Sequence, residues 1–187
     1  MRVSSISFGK TAILTCQVKN KETNKKSSAT LYQMDPHNMS DYREVRYSKT
    51  ARCMCRDMED DQSQYNPLRE YYVLKDDKTG EVISCAQTSH HYRRDEVYSP
   101  GLSTTVDELA DNIKYVNSTE PMLAFVAQKA FDRYDKSVVI GTYIDDESPL
   151  KRARFSKTKN GDWVLPEKRF NDFVDTANKR SSIEYVG

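Results

Sequence analysis

Residues 137–144 (SVVIGTYI) constrain the fold more than any other stretch of the chain. Val138, Val139 and Ile140 follow one another without a polar break, so a strand here is buried on both faces and needs a covering layer on each side. Just upstream, Pro121 suits a first helical turn, and Met122, Leu123, Phe125, Val126, Ala130 and Phe131 give one apolar helix face through about Tyr134. Residues 104–110 (TTVDELA) read as another strand. Strand, helix, strand in this order predicts two parallel neighbours joined by a right-handed crossover.

The remaining elements follow from period and punctuation. Residues 10–19 and 28–33 are strand-like runs around a polar link, a hairpin with a long turn. After Pro36, Asn38 or Ser40 can cap a helix, and Met39, Tyr42, Val45, Cys53 or Cys55, Met54 and Met58 recur at near-helical spacing. The charged stretch 59–64 and Asn66-Pro67 are expected to break that helix. Two β-rich runs, 69–75 and 81–92, flank DDKTG, whose final Gly marks a tight turn. Residues 95–103 contain Pro100-Gly101 and read as a loop. A short helix at 149–155, a short strand at 162–165 around Trp163 and a helix at 170–177 complete the pattern. Residues 1–33 hold the first hairpin and 179–187 are expected to form a flexible tail. At 187 residues the chain reads as a single domain, 1–187.

Charge and cysteine usage exclude several function classes. Lys and Arg number 29 against 28 Asp and Glu, a net charge of +1, so no global field draws nucleic acid or an anionic membrane. Lys151, Arg152, Arg154, Lys157 and Lys159 form a local basic cluster. It suits either solvated helix surface or phosphate contacts, and the acidic run 145–147 precedes it. No stretch approaches the roughly 18 apolar residues of a membrane span, and residues 1–8 lack the features of a signal peptide, so the expected location is the cytoplasm. Cys16, Cys53, Cys55 and Cys85 are scattered and are read as reduced thiols, Cys85 as a buried, inert one. The one-residue gap between Cys53 and Cys55 departs from zinc-site spacing, and no metal is expected.

Three segments carry a family resemblance. YYVLKDDKTGEVISCAQ looks like the central hairpin of the GNAT superfamily of acyl-CoA N-acyltransferases. VDELADNIKYVNSTEPMLAFVAQKA resembles that family's strand, loop and helix that hold the cofactor pyrophosphate. SVVIGTYIDDESPLKRARFSKTKNGDWVL is similar to its next strand, short helix and closing Phe. The resemblance implies an α+β single domain with a mixed, mostly antiparallel sheet flanked by helices. It also implies acyl transfer from acetyl-CoA or another acyl-CoA to an amine on a small molecule or protein, with no membrane partner; nucleic acid is disfavoured.

The same resemblance assigns candidate residues. Backbone groups of Leu109, Ala110 and Asp111 would align the pantetheine, and Asn117, Ser118, Thr119 and Glu120 would face the pyrophosphate. The family's loop normally reads Gln/Arg-x-x-Gly-x-Gly/Ala, because glycines let N–H groups approach phosphate at a helix N-terminus. Here it reads VNSTEP, in which Pro121 donates no N–H and Glu120 sets a carboxylate beside the expected phosphates. Glu108 is the position for a general base acting on the amine. The family's Tyr acid, five positions before the closing Phe155, falls on Leu150, which leaves Tyr143 as the substitute. Of His90 and His91, alternation turns one toward a cleft. The alternative to an enzyme is a non-catalytic binding or interaction domain that kept the scaffold and lost the cofactor cradle.

Overall fold

A computed structural model of the chain describes residues 9–64, 66–93, 101–116, 118–142 and 147–186. The first hairpin is β1 (Thr11–Asn20) and β2 (Lys26–Met34). Helix α1 (Met39–Tyr47) follows, with the Asn38 side chain accepting from the N–H groups of Ser40 and Asp41 at 2.9 and 3.3 Å. The apolar series through Met58 is not one helix. α1 stops at Tyr47, Ser48 Oγ accepts from the N–H groups of Thr50 and Ala51, and a 3-10 turn (Ala51–Met54) leads into α2 (Cys55–Ser63). α2 also runs through the charged stretch expected to end it. Glu59 and Asp60 are exposed, while Asp61 turns in beside Met58 and accepts from the Tyr71 hydroxyl at 2.7 Å and from Arg69 at 3.2 Å, which holds the helix on the sheet.

β3 (Arg69–Asp76) and β4 (Val82–Arg93) form the central hairpin. Its turn is held by Asp76 Oδ1, which accepts from the N–H groups of Lys78 and Thr79, and by Gly80 at φ +70°, a conformation side chains resist. β5 (Gly101–Asp111) starts three residues earlier than the sequence implied, so part of the expected loop is strand. The rest of that loop, 95–100, lies outside the described residues. A short β6 (Tyr115–Val116) precedes α3 (Thr119–Asp132) and β7 (Ser137–Ile140). Then come α4 (Ser148–Arg152), β8 (Ser156–Lys157), β9 (Trp163–Pro166), α5 (Phe170–Ser181) and β10 (Glu184–Tyr185). The expected tail is thus a continued helix and a strand paired with β1, Leu14 opposite Tyr185.

The strands form one sheet in the order β10-β1-β2-β3-β4-β5-β7-β9-β8, with β6 also on β1. Among the described pairs only β5–β7 is parallel, as the strand-helix-strand order predicted, with Ser103–Val106 against Ser137–Ile140. One face carries the larger core, where Leu14, Leu31, Tyr72, Ile83 and Val106 meet Met122, Leu123 and Val126 of α3 and Phe170 and Phe173 of α5. The other face packs Met34, Tyr71, Val73 and Cys85 under Tyr42 and Val45 of α1 and Met54 and Met58 of the next turns. The β-branched β7 is buried throughout.

Candidate active site

Among the described residues β5 and β7 pair only from Ser103–Ser137 to Val106–Ile140, and the last contact after them is the Gly141 N–H to the Val106 carbonyl at 3.2 Å. β5 continues to Asp111, and among the described residues no strand pairs Leu109 or Ala110 on the β7 side, although both still pair with β4. Burial changes at the same point, since Val106 is inaccessible while residues 107–110 are half-buried.

A bulge sits at this opening. Gln87 of β4 lies opposite Glu108 and Thr88 opposite Val106, so Asp107 is the extra residue on β5. Such insertions re-aim side chains, and they are common beside active sites. Here the bulge leaves two successive carboxylates within electrostatic reach of each other and of Asp57 on α2. Burial lifts Glu108 above the ordinary carboxylate range, and the charges of Asp57 and Asp107 lift it further. Burial likewise raises Asp107, with Asp57 adding to the effect. Asp57 is held by Gln87, whose Nε2 donates to its Oδ2 at 2.5 Å. Gln87 is 1% exposed and its Oε1 has no hydrogen-bond partner, so an unfilled acceptor lies buried beside the three carboxylates.

Of the residues assigned to the cofactor, Leu109 packs against the larger core and Ala110 against the smaller, leaving their backbone between the two faces. Ser118 caps α3 in position only. Its φ of −66° is helical, its side chain makes no cap bond, and its buried Oγ has no partner. Thr119 opens the helix, and Glu120 turns to α5, where Arg180 Nη1 donates to its Oε1 at 3.1 Å. The carboxylate beside the expected phosphates is therefore neutralised by an arginine sixty positions away. The resemblance implies a CoA group at this helix end, where Thr119 and Glu120 keep their N–H groups and Pro121 has none. The N–H groups of a helix's first turn have no partner within it, and the orphaned Ser118 hydroxyl stands among them. Asn117 and Tyr143 lie outside the described residues.

The other candidates separate by face. His90 Nε2 meets Asp135 Oδ1 at 2.6 Å, and Thr104 donates to the other Asp135 oxygen at 2.7 Å, a closed structural network on the α3 side. His91 points the opposite way, toward the side of Asp107. Leu150, at the expected Tyr position, is core. The basic cluster folds back on itself: Lys151 and Lys157 pair with Glu147 and lie over the Trp163 ring. Among the described residues no helix is long and apolar enough to cross a membrane, and no cluster of three or more metal-binding side chains occurs.

Asp57, Gln87, Asp107 and Arg180 were not singled out from sequence. The only local signal was the double carboxylate in VDELA, where an uninterrupted strand would place Asp107 and Glu108 on opposite faces.

No protein-family model matches the chain, and no curated protein matches it in sequence. Solved structures do match. A mutant of the AtaT toxin bound to the C-terminus of the antitoxin AtaR superposes with a TM-score of 0.57 at 10% identity, over 76% of this chain and 94% of that one. The NatC complex bound to Gag peptide and CoA contains a chain matching at 0.52 and 15% identity, over 74% and 98%. A predicted acetyltransferase with acetyl-CoA from Clostridium acetobutylicum matches at 0.51 and 11%, over 70% and 92%.

Proposed function

The chain carries the fold of the GNAT superfamily, and on that premise we propose that it is an acyl-CoA-dependent N-acyltransferase acting on an amine of a small molecule or protein. The observation that carries this reading is Glu108: a half-buried carboxylate, raised by burial and by two acidic neighbours, beside the point where β5 and β7 part. The acyl-CoA, when bound, supplies an activated thioester. Ser118 Oγ and the first-turn N–H groups of α3 would hold its phosphates, and backbone groups of Leu109, Ala110 and Asp111 its pantetheine.

The chain's own part is proton handling and charge. An amine attacks only when neutral, and an ammonium entering the opening meets Asp57, Asp107 and Glu108. Glu108 in its ionised form takes the ammonium proton, and its raised pKa brings it closer to the working pH, where a general base is most effective. Gln87 holds Asp57 in place, and so keeps that charge on Glu108. Proton return to the departing thiolate rests on Tyr143 or on water.

A second reading is favoured by one observation. Ser118, Thr119 and Glu120 are 1, 6 and 8% exposed, so side chains occupy a cradle that glycines would leave open. On this reading the chain is a binding or interaction domain on an enzyme scaffold.

One experiment separates the two. Acetyl-CoA at about 100 times its dissociation constant should stabilise the protein by about 2.7 kcal/mol, and acyl transfer to members of an amine panel should be detectable. Glu108→Gln should lower turnover by about 10²- to 10⁴-fold while leaving CoA affinity nearly unchanged. The rate should fall as pH drops through the raised Glu108 pKa, above where an ordinary carboxylate would titrate. Absence of a thermal shift at millimolar acetyl-CoA would favour the binding domain.

A further inference from the structure

Two of the four cysteines, read from sequence as unrelated thiols, come together under the candidate site. Cys53 lies in the 3-10 turn between α1 and α2, and Cys85 lies in β4. Their sulfurs are 3.7 Å apart although 32 positions separate them. Cys53 is an exposed residue and Cys85 a buried one, so the pair reaches from the surface turn to the sheet. Both point at the Thr50 carbonyl, Cys85 at 3.4 Å and Cys53 at 3.8 Å, which holds them on one spot. The other thiols are elsewhere. Cys55 contacts Tyr42 and Glu59, and Cys16 is in the core of the opposite face.

We propose that Cys53 and Cys85 form a redox-active dithiol, oxidised by peroxide to a disulfide that ties the α1–α2 turn to the strand beside Glu108. The Cys53 thiolate attacks one peroxide oxygen, the O–O bond breaks, and the departing hydroxide is protonated to water, leaving a sulfenic acid on Cys53. The Cys85 sulfur then attacks the Cys53 sulfur. The S–O bond breaks, and the leaving hydroxide takes the Cys85 proton as a second water. Two thiols lose two electrons, and one peroxide becomes two waters.

The division of labour follows from the surroundings. A hydrogen bond from Cys85 lowers the Cys53 thiol below its ordinary value, which favours the thiolate that attacks first. Cys85, hydrogen-bonded to Cys53 and buried, is raised and remains protonated until it is called on to resolve the sulfenic acid. Closing the bond requires the sulfurs to approach by roughly 1.7 Å, from 3.7 Å to the length of a disulfide. That shift falls on the 3-10 turn, since Cys85 is fixed in β4 opposite Ala110 of β5, one of the candidate cofactor-contacting residues. Gln87, two positions along β4 on the same face, lies opposite Glu108, so oxidation acts next to the carboxylate cluster.

The test is a thiol map of the full chain after treatment with a modest excess of hydrogen peroxide. Remaining thiols are blocked by alkylation under denaturing conditions, and the digest is analysed by mass spectrometry without reduction. The expected result is a peptide joining Cys53 to Cys85 that disappears on reduction, with Cys16 and Cys55 still alkylated. In Cys85→Ala the sulfenic acid on Cys53 should persist and be captured by dimedone. In Cys53→Ser, Cys85 should remain reduced. The proposal fails if Cys53 is oxidised singly while Cys85 stays alkylatable, if the bridge joins Cys53 to Cys55, or if it joins two chains. The wild-type map decides the matter even if the Cys85 variant does not fold.

Discussion

Charge is handled differently at two places on the sheet, the clusters under α3 and α5 and the patch at the β5 bulge, although the α1–α2 face also pairs Glu44 with Lys10 and Lys75 and Asp61 with Tyr71 and Arg69. Under α3 and α5 the buried carboxylates are paired, although Ser118 Oγ and Asn178 Oδ1 have no partner. Glu70 accepts from Lys129 and Arg133, Asp135 is shared by His90 and Thr104, and Glu120 is met by Arg180. On the α1–α2 face, next to the β5 bulge, Asp57, Asp107 and Glu108 lie within electrostatic reach of one another, with Arg69 Nη1 3.9 Å from Asp57, and the Gln87 oxygen has no partner. Buried polar groups are ordinarily satisfied because leaving them unpaired costs about 1–3 kcal/mol each. The carboxylates of the first place follow that rule. The second departs from it at the Gln87 oxygen, beside Glu108, the proposed base. On the proposed reading the base stands on the α1–α2 side of the sheet and the phosphate-holding turn of α3 on the other.

The largest test of this division is a cavity. Leu123, fully enclosed between α3 and the larger core, should cost about 2–5 kcal/mol on change to Ala, measured by denaturant unfolding. Remaining folded protein should transfer acyl groups at the native rate per molecule. A rate loss larger than the unfolded fraction would show that the two faces are coupled.

Next in size is a pair of matched carboxylate removals. Burial pulls the Glu70 pKa upward, but Lys129 and Arg133 more than offset it and the net shift is downward. Its contribution is therefore present above the ordinary carboxylate pKa and is lost as pH falls through the lower, folded value. Glu70→Gln should cost about 1–3 kcal/mol at neutral pH and almost nothing in acid. Glu108 has the opposite sign. With its folded pKa raised, the native state holds the proton longer than the unfolded chain, so stability falls as pH rises from the unfolded to the folded value. Glu108→Gln removes that loss, and the variant should be no less stable than the native chain at neutral pH while turning over far more slowly. If both variants lose similar stability at pH 7, Glu108 has a structural partner and the contrast between the two places is wrong.

How much of this was legible follows the range of the interactions. The β3–β4 hairpin is written locally, in alternation and in the Asp76–Gly80 turn, and the parallel β5–β7 pair is implied by the order of three adjacent elements. The stop of α1 was also present locally, in the Ser48 hydroxyl that caps the next turn, but a Met and Tyr series that keeps nearly helical spacing across the break concealed it. Glu108 was reached through resemblance. Its acidic surroundings were not, because the bulge at Asp107 depends on the register between β4 and β5, and no single strand encodes a register. Arg180 with Glu120 and Cys53 with Cys85 are long-range pairs of ordinary residues, invisible until the sheet brings them together.

The smallest expected effect is also the most specific. Asp57 raises Glu108 by charge, while its contact with Gln87 depends on an oxygen acceptor that an amide also supplies. Asp57→Asn therefore keeps the shape and removes the charge. Glu108 should then ionise at lower pH, and the acid limb of the rate profile should move down the pH scale, with the plateau nearly unchanged. A slightly weaker base reduces the plateau a little, in keeping with Brønsted behaviour. Asp172→Asn, an exposed change in the first turn of α5 on the opposite face, leaves the limb in place if the effect is local. Added salt should shrink the Asp57 effect only in part, because the carboxylates are partly shielded from solvent. Equal movement in both variants would trace the raised Glu108 to the overall charge of the protein. No movement in Asp57→Asn, with turnover intact, would mean that the group titrating in the acid limb is not Glu108.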